Sequence, residues 1–151
     1  MEMIENASIL SPTRGFLNSG YTHTLNPYSG CAFAGSVCGL FCDAQHDGNI
    51  TRRRPWRLYG AKKNAASAYR VDYDRLKRPR RGEPKPLKIF MSSVTDPYVP
   101  HEKTQGITRA VLLEMLDRPP DVLVIQTRAT LIERDIDLSS RSPVGAGSGY
   151  R

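Results

Sequence analysis

The chain has 151 residues, of which 39% are hydrophobic and 25% charged, and its formal net charge at pH 7 is +7. This length allows one domain with a hydrophobic core but not two, and the composition is ordinary for a soluble protein. The sequence has neither a signal-peptide pattern nor a stretch approaching the roughly 18 apolar residues of a membrane helix, so we expect a cytoplasmic protein without a membrane partner.

The first part of the chain is predicted to contain short strands around a loop. Residues 1–20 have little periodicity and several turn-forming residues, which indicates an N-terminal extension. Residues 21–25 favour a strand that ends at Asn26-Pro27. A loop rich in glycine and cysteine follows, from Tyr28 to about Asn49, and residues 58–62 predict another short strand.

The second part of the chain alternates helices and strands. Asn64 is a good N-cap for a helix that ends near Arg78. Residues 87–94 and 121–127 are apolar enough to predict strands buried on both faces, and between them residues 104–116 have the spacing of an amphipathic helix. A further helix is expected over residues 131–137. This order predicts an α/β fold with right-handed parallel βαβ units.

Polar residues lie at the ends of both predicted strands. They are Ser93, Thr95 and Asp96 at the end of the first strand, and the Gln126-Thr127-Arg128 run at the end of the second. The carboxyl ends of parallel strands meet at one edge of a sheet, where functional groups gather. We therefore expect these residues to share an edge with the cysteine loop. For Ser93 and Thr127 a plain strand-end or capping role is an equal alternative.

The three cysteines of the chain, Cys31, Cys38 and Cys42, lie within twelve residues in a C-x6-C-x3-C spacing. An odd number of cysteines argues against a disulfide framework and for metal or redox chemistry. Thiolates suit iron–sulfur clusters or zinc, and three ligands would leave one iron of a four-iron cluster open to another molecule. Packing of buried cysteines without a ligand role is the plainer alternative.

His46 offers a second metal interpretation, because with the three cysteines it completes a Cys₃His set for zinc. A basic segment begins soon afterwards. Between Arg52 and Lys88, 14 lysines and arginines face three acidic residues, a local net charge of +11. Such a segment can attract nucleic acid, although it can equally be a solvated connection. A zinc-stabilised nucleic-acid-binding module is therefore the alternative function.

Several separated motifs between Tyr21 and Leu138 resemble the radical S-adenosylmethionine (SAM) superfamily, in the branch related to spore photoproduct lyase. The motifs, in chain order, are Thr24-Leu25-Asn26-Pro27-Tyr28-Ser29-Gly30-Cys31, Lys63-Asn64-Ala65, Ser92-Ser93-Val94-Thr95-Asp96-Pro97-Tyr98, Gly106-Ile107-Thr108-Arg109, Ile125-Gln126-Thr127-Arg128 and Arg134-Asp135-Ile136-Asp137-Leu138.

The resemblance implies that Cys31, Cys38 and Cys42 bind a [4Fe–4S] cluster whose fourth iron is chelated by SAM. Reductive cleavage of SAM would then give a 5′-deoxyadenosyl radical that abstracts hydrogen from a substrate, with electrons from a flavodoxin- or ferredoxin-type donor. The implied SAM-binding residues are Phe41 beside the adenine, Ser92, Ser93, Thr95 and Asp96 near the amino group, and Gln126 and Thr127, with Arg128 facing SAM or substrate. The resemblance does not identify the substrate.

The sequence departs from the family pattern in its cysteine spacing, which is wider than the common C-x3-C-x2-C, and in Asp43, which stands where an aromatic residue usually follows the last cysteine. It also reaches about three β/α units instead of about six. We therefore expect an incomplete radical SAM partial (β/α) barrel over residues 21–138, a disordered tail over residues 139–151, and doubtful activity of this polypeptide alone.

Overall fold

A computed structural model describes residues 1–35, 41–48, 55–78, 82 and 85–140, with only the backbone of the last two. The predicted cluster ligand Cys38 lies outside the described residues. So do the arginines at positions 52–54 and 80–81 of the basic segment and the predicted tail from residue 141 onward.

The larger sheet has four strands. Strand β3 (His23–Leu25) pairs in parallel with β6 (Lys88–Met91), and β6 pairs in parallel with β7 (Val122–Ile125). Strand β2 (Leu10–Pro12) lies antiparallel on the other side of β3. Helices connect the parallel strands β6 and β7, which confirms the α/β class. The sheets are mixed and open, and the described strands do not close into a barrel.

A smaller sheet of three strands lies where the chain enters and leaves the cysteine loop. Its central strand β5 (Gly60–Lys62) pairs in parallel with β1 (Glu2–Ile4) and antiparallel with β4 (Tyr28–Ser29). The N-terminal segment thus supplies one strand to each sheet. Three-residue strands are too short to produce a recognisable periodicity, which is why the sequence suggested only an extension.

Four α-helices complete the described fold. Helix α1 (Ala65–Leu76) packs against α3 (Ile107–Asp117), while α2 (Glu102–Gln105) precedes α3 and α4 (Ile136–Ser140) follows a 3₁₀ segment at Thr130–Asp135. The single helix expected over residues 104–116 is therefore two helices. Gly106 separates them with a φ of 61°, a left-handed conformation that glycine adopts without a steric penalty. The predicted tail begins within α4, since its first two residues are helical.

Asn64 occupies the N-cap position of α1, as predicted, but its side chain does not cap the helix. Instead, its Oδ1 accepts a hydrogen bond from Asn6 N at 3.0 Å and its Nδ2 donates to Asn6 O at 2.8 Å. The predicted strands are confirmed in place but not in burial. In β6 only Ile89 and Met91 are buried, and β7 is half-buried throughout, because β6 alternates between two faces and β7 lies at the edge of its sheet.

One hydrophobic core joins the two sheets to α1 and α3. Its fully buried members include Leu25, Tyr28, Tyr69, Ile89, Met91 and Val111. Strands β3 and β6 therefore run through the centre of the molecule, and their carboxyl ends are held firmly. Within the described part of the chain, no helix combines the length and hydrophobicity that a membrane crossing requires.

Candidate cofactor-binding site

Strand β6 ends abruptly at Ser92. This residue has a φ of 78°, a left-handed conformation that a residue with a side chain rarely adopts, and it is buried. Its N–H donates to Leu25 O at 2.9 Å and its Oγ donates to Thr95 O, so the turn is bonded on both sides. The strand is consequently shorter than the predicted 87–94. Backbone strain of this kind persists where the surroundings enforce it, and it concentrates at functional sites.

Asn26 joins the end of β3 to the turn after β6. Its Nδ2 donates to Ser93 Oγ at 3.3 Å, and its Oδ1 accepts the N–H of Val94 at 3.3 Å. These bonds confirm that the loop after β3 and the residues after β6 share one edge of the sheet. Asn26 is immediately followed by Pro27, so the chain leaves this edge directly toward β4 and the first cysteine.

Asp96 joins the ends of β6 and β7. Its Oδ1 accepts hydrogen bonds from Thr127 Oγ1 at 2.7 Å and from Tyr98 N at 2.8 Å, and its Oδ2 accepts from Arg128 N at 2.9 Å. Two residues expected from the resemblance to contact SAM are thus brought together. Their hydrogen bond links the ends of the two strands, which agrees with the strand-end role given as the alternative for Thr127.

The other residues expected to contact SAM differ in their burial. Thr95 is buried and lines a cavity at the strand ends, whereas Gln126 is exposed and its backbone N–H donates to Met91 O at 3.2 Å. Phe41 is 83% exposed. The structure therefore brings Ser92, Ser93, Thr95, Asp96 and Thr127 to one edge, and Phe41 contributes no cover to the core.

The first cysteine is fixed by its backbone to residues 56–59. Gly30 has a φ of 70°, and a Cβ atom there would lie 2.7 Å from Leu58 O, so the close approach requires glycine. Cys31 N then donates to Trp56 O at 3.0 Å. Cys42 directly precedes the 3₁₀ segment Asp43–Gln45, and both cysteines are partly exposed. Such thiols are accessible to a cluster or metal ion.

The structure describes three of the four residues of the alternative zinc set. Cys31, Cys42 and His46 are described, yet no group of three or more His, Cys, Asp or Glu side chains within the described ranges is arranged to hold a metal ion. A tetrahedral zinc site needs four ligands about 2.0–2.3 Å from the ion. Cys38 belongs both to the predicted cluster set and to the Cys₃His set and lies outside the described residues, so both metal interpretations stay predictions.

A cavity of about 420 Å³ lies beside Cys31, between β4, β5 and the turn after β6. Residues that line it include Tyr28, Ser29, Gly30, Trp56, Lys62 and Thr95. Its volume is in the range of small-molecule sites, which are concave and hold a few placed polar groups. The cavity thus connects the start of the cysteine loop to the strand-end residues.

Two polar groups of the cavity wall were not predicted from the sequence. Lys62 Nζ donates to Asn26 O at 2.6 Å, and burial lowers the pKa of the lysine to about 8. Trp56 is 7% exposed, and its Nε1–H meets no acceptor in the described part of the chain. The only available signal was a lysine at the end of a predicted strand and the lone tryptophan of the chain.

A buried ionic network lies behind the cavity. Glu102, fully buried, accepts hydrogen bonds from Tyr28 Oη at 2.5 Å and from Arg134 Nη2 at 3.0 Å. Arg134 and Arg109 both bind Asp135. Burial alone would raise the pKa of Asp135, but the two guanidinium groups hold it below its usual value. The network ties the chain before α4 to α2 and to β4, and so supports Tyr28 in the cavity wall.

Comparisons with known proteins add no identification. No family model matches the chain, and neither a curated protein nor a solved structure is significantly similar to it.

Proposed function

We propose that this chain is the cluster-binding part of a radical SAM protein that acts in the cytoplasm. The observation that carries the proposal is the attachment of Cys31, the first residue of the C-x6-C-x3-C set, to the wall of a 420 Å³ cavity at the strand ends. The cavity supplies space for an organic cofactor, and one of its lining residues, Trp56, holds the backbone of the first cysteine. In open α/β sheets, ligands bind at the carboxyl ends of the strands.

The residues of the chain fit the cofactors in chemistry. Cys31, Cys38 and Cys42 would hold the cluster, which together with SAM supplies reductive cleavage and hydrogen abstraction. Thr95 lies in the cavity wall, and its hydroxyl would be available to orient a cofactor bound there. Asp96 and Thr127 act one step further away, because their mutual hydrogen bond fixes the strand ends that form the edge. Asn26 and the turn at Ser92 do the same for β3 and β6.

The partners belong to the same proposal. Reduction of the cluster requires a one-electron donor of flavodoxin or ferredoxin type. Binding of nucleic acid through the segment from Arg52 to Lys88 remains a separate prediction that rests on its charge of +11. Phe41, next to Cys42, is exposed, so its ring is available for contact with the adenine of SAM.

Anaerobic reconstitution with iron and sulfide tests the proposal. We expect a brown protein with broad visible absorption, because thiolate-bound iron–sulfur clusters absorb in this way. Replacing Cys31, Cys38 or Cys42 by alanine is expected to abolish the colour. The His46→Ala variant is the matched control, since it changes a nearby potential ligand, and it should reconstitute like the parent.

The opposite pattern would favour the zinc-stabilised module. In that case the protein would stay colourless, would bind one tetrahedral zinc ion and would lose it in His46→Ala. Metal content measured on all five proteins distinguishes the two outcomes.

A further inference from the structure

We propose that the cavity beside Cys31 binds the anionic group, a carboxylate or a phosphate, of a small organic molecule through Lys62 and Trp56. Nothing in the predicted set of SAM-binding residues assigns either residue a role. The proposal is independent of the cluster, because both groups belong to the cavity wall and neither is a predicted metal ligand.

Lys62 supplies the charge. Its ammonium group has three N–H donors, and the described contacts give it a single acceptor, Asn26 O at 2.6 Å. None of the described ion pairs includes it. Glu5, which also lines the cavity, is paired with the neighbouring Lys63 at 2.9 Å. Lys62 is partly buried, and desolvation of its ammonium lowers its pKa. A bound anion would offset this desolvation cost.

Trp56 supplies a second donor at the same cavity. Its indole N–H is buried and meets no acceptor in the described chain, and an unsatisfied buried donor of this kind requires an explanation. A carboxylate or phosphate has several oxygens, so one anion can accept from the indole N–H and from the Lys62 ammonium together. Among the other polar wall residues, which are Glu5, Asn6, Asn26, Tyr28, Ser29 and Thr95, the amides and hydroxyl groups suit the neutral part of a ligand.

The pocket is also connected to the cysteine loop. Trp56 O accepts the N–H of Cys31 at 3.0 Å, and Gly30 packs against the backbone of residues 56–59. A ligand that orders Trp56 will therefore order the backbone of the first cysteine.

Trp56 is the only tryptophan of the chain, so its emission reports directly on this cavity. We would titrate cluster-free protein with four probes and follow that emission. S-adenosylhomocysteine carries a carboxylate, adenosine monophosphate carries a phosphate, inorganic phosphate carries the anion alone, and 5′-deoxyadenosine carries no anion. We expect the emission to change in a saturable way with S-adenosylhomocysteine, with adenosine monophosphate, or with both. A carboxylate preference would identify the amino-acid end of a SAM-like ligand, and a phosphate preference a phosphorylated substrate.

Two variants establish which residues bind the anion. Lys62→Met removes the charge and keeps most of the side-chain volume. We expect this variant to bind the probes that carry an anionic group about tenfold or more weakly than the parent. Lys63→Met is the matched control, since Lys63 is exposed and paired with Glu5, and it should leave affinity unchanged. Trp56→Phe keeps a ring but loses the donor, and ligand-induced thermal stabilisation should be smaller in this variant.

The Lys62→Met variant is expected to fold, because the substitution removes a partly buried charge for which the described residues provide no carboxylate partner. Equal binding of 5′-deoxyadenosine and the anionic probes would overturn the proposal. So would anion binding that survives in Lys62→Met, or a complete lack of response to all anionic probes. If the cluster cannot be reconstituted but the anionic probes bind, the proposed function is overturned and the anion-binding proposal stands.

Discussion

Replacing Glu102 by alanine is expected to lower the free energy of unfolding by about 3–5 kcal/mol. The carboxylate is fully buried and accepts hydrogen bonds from Tyr28, Arg134 and the backbone N–H of Thr108. The last bond, at 2.9 Å, satisfies the start of α3, where helices favour negative charge. Without Glu102, the Arg134 guanidinium and the Tyr28 hydroxyl lose an acceptor in the interior.

Urea denaturation of the parent, Glu102→Ala, Glu102→Gln and Glu133→Ala measures this effect. Glu102→Gln keeps an acceptor oxygen and the side-chain volume, so we expect a smaller loss than for alanine. Glu133 is exposed, and its removal should change stability by at most about 0.5 kcal/mol. A Glu102→Ala protein as stable as the parent would mean that the buried network does not hold the segment before α4.

Replacing Asp72 by alanine is expected to cost about 2–4 kcal/mol, because three donors lose the same acceptor. Asp72 Oδ2 accepts Ser8 Oγ at 2.8 Å and the backbone N–H groups of Ile9 and Leu10 at 2.7 and 2.9 Å. Its other oxygen accepts from Arg75 at 2.7 Å. The residue thus fastens the N-terminal segment, including β2, onto α1.

Hydrogen exchange gives this second prediction a local readout. In Asp72→Ala the amides of Ile9 and Leu10 should lose protection first, while those of β6 change only with global stability. Asp74→Ala is the control on the same helix: Asp74 is exposed and paired with Arg118 at 3.0 Å, and a surface pair contributes at most about 1 kcal/mol. Unchanged protection at Ile9 and Leu10 in Asp72→Ala would show that the hydrogen bonds to Asp72 do not fasten the segment.

The sequence predicted the positions of the central strands and the polar edge at their ends. Apolar runs bounded by turn residues located β6 and β7, and the parallel βαβ order then brought Asp96 and Thr127 together. It did not predict the exposure of β7, since an apolar run does not reveal whether a strand lies at the centre or the edge of a sheet. The break at Gly106 depends on one left-handed residue inside an otherwise helical pattern.

The cavity was beyond sequence reasoning for a different reason. Lys62 belongs by its sequence to a strongly basic segment, and nothing local distinguishes it from the exposed Lys63 beside it. Its partial burial results from the pairing of β5 with both β1 and β4, which is a tertiary property. The same pairing buries Trp56 next to the cysteine loop. The cysteines, in contrast, were evident from spacing alone, because three thiols so close together have few other uses.

The most direct test of the central claim is electron paramagnetic resonance of the reconstituted protein after anaerobic reduction with dithionite, recorded without and with SAM. A cluster held by Cys31, Cys38 and Cys42 leaves one iron open to another ligand. We predict the signal of a reduced four-iron cluster, and we expect the line shape of this signal to change when SAM is added. An identical spectrum with and without SAM, or reconstituted protein that gives no cluster signal, would contradict the proposed function.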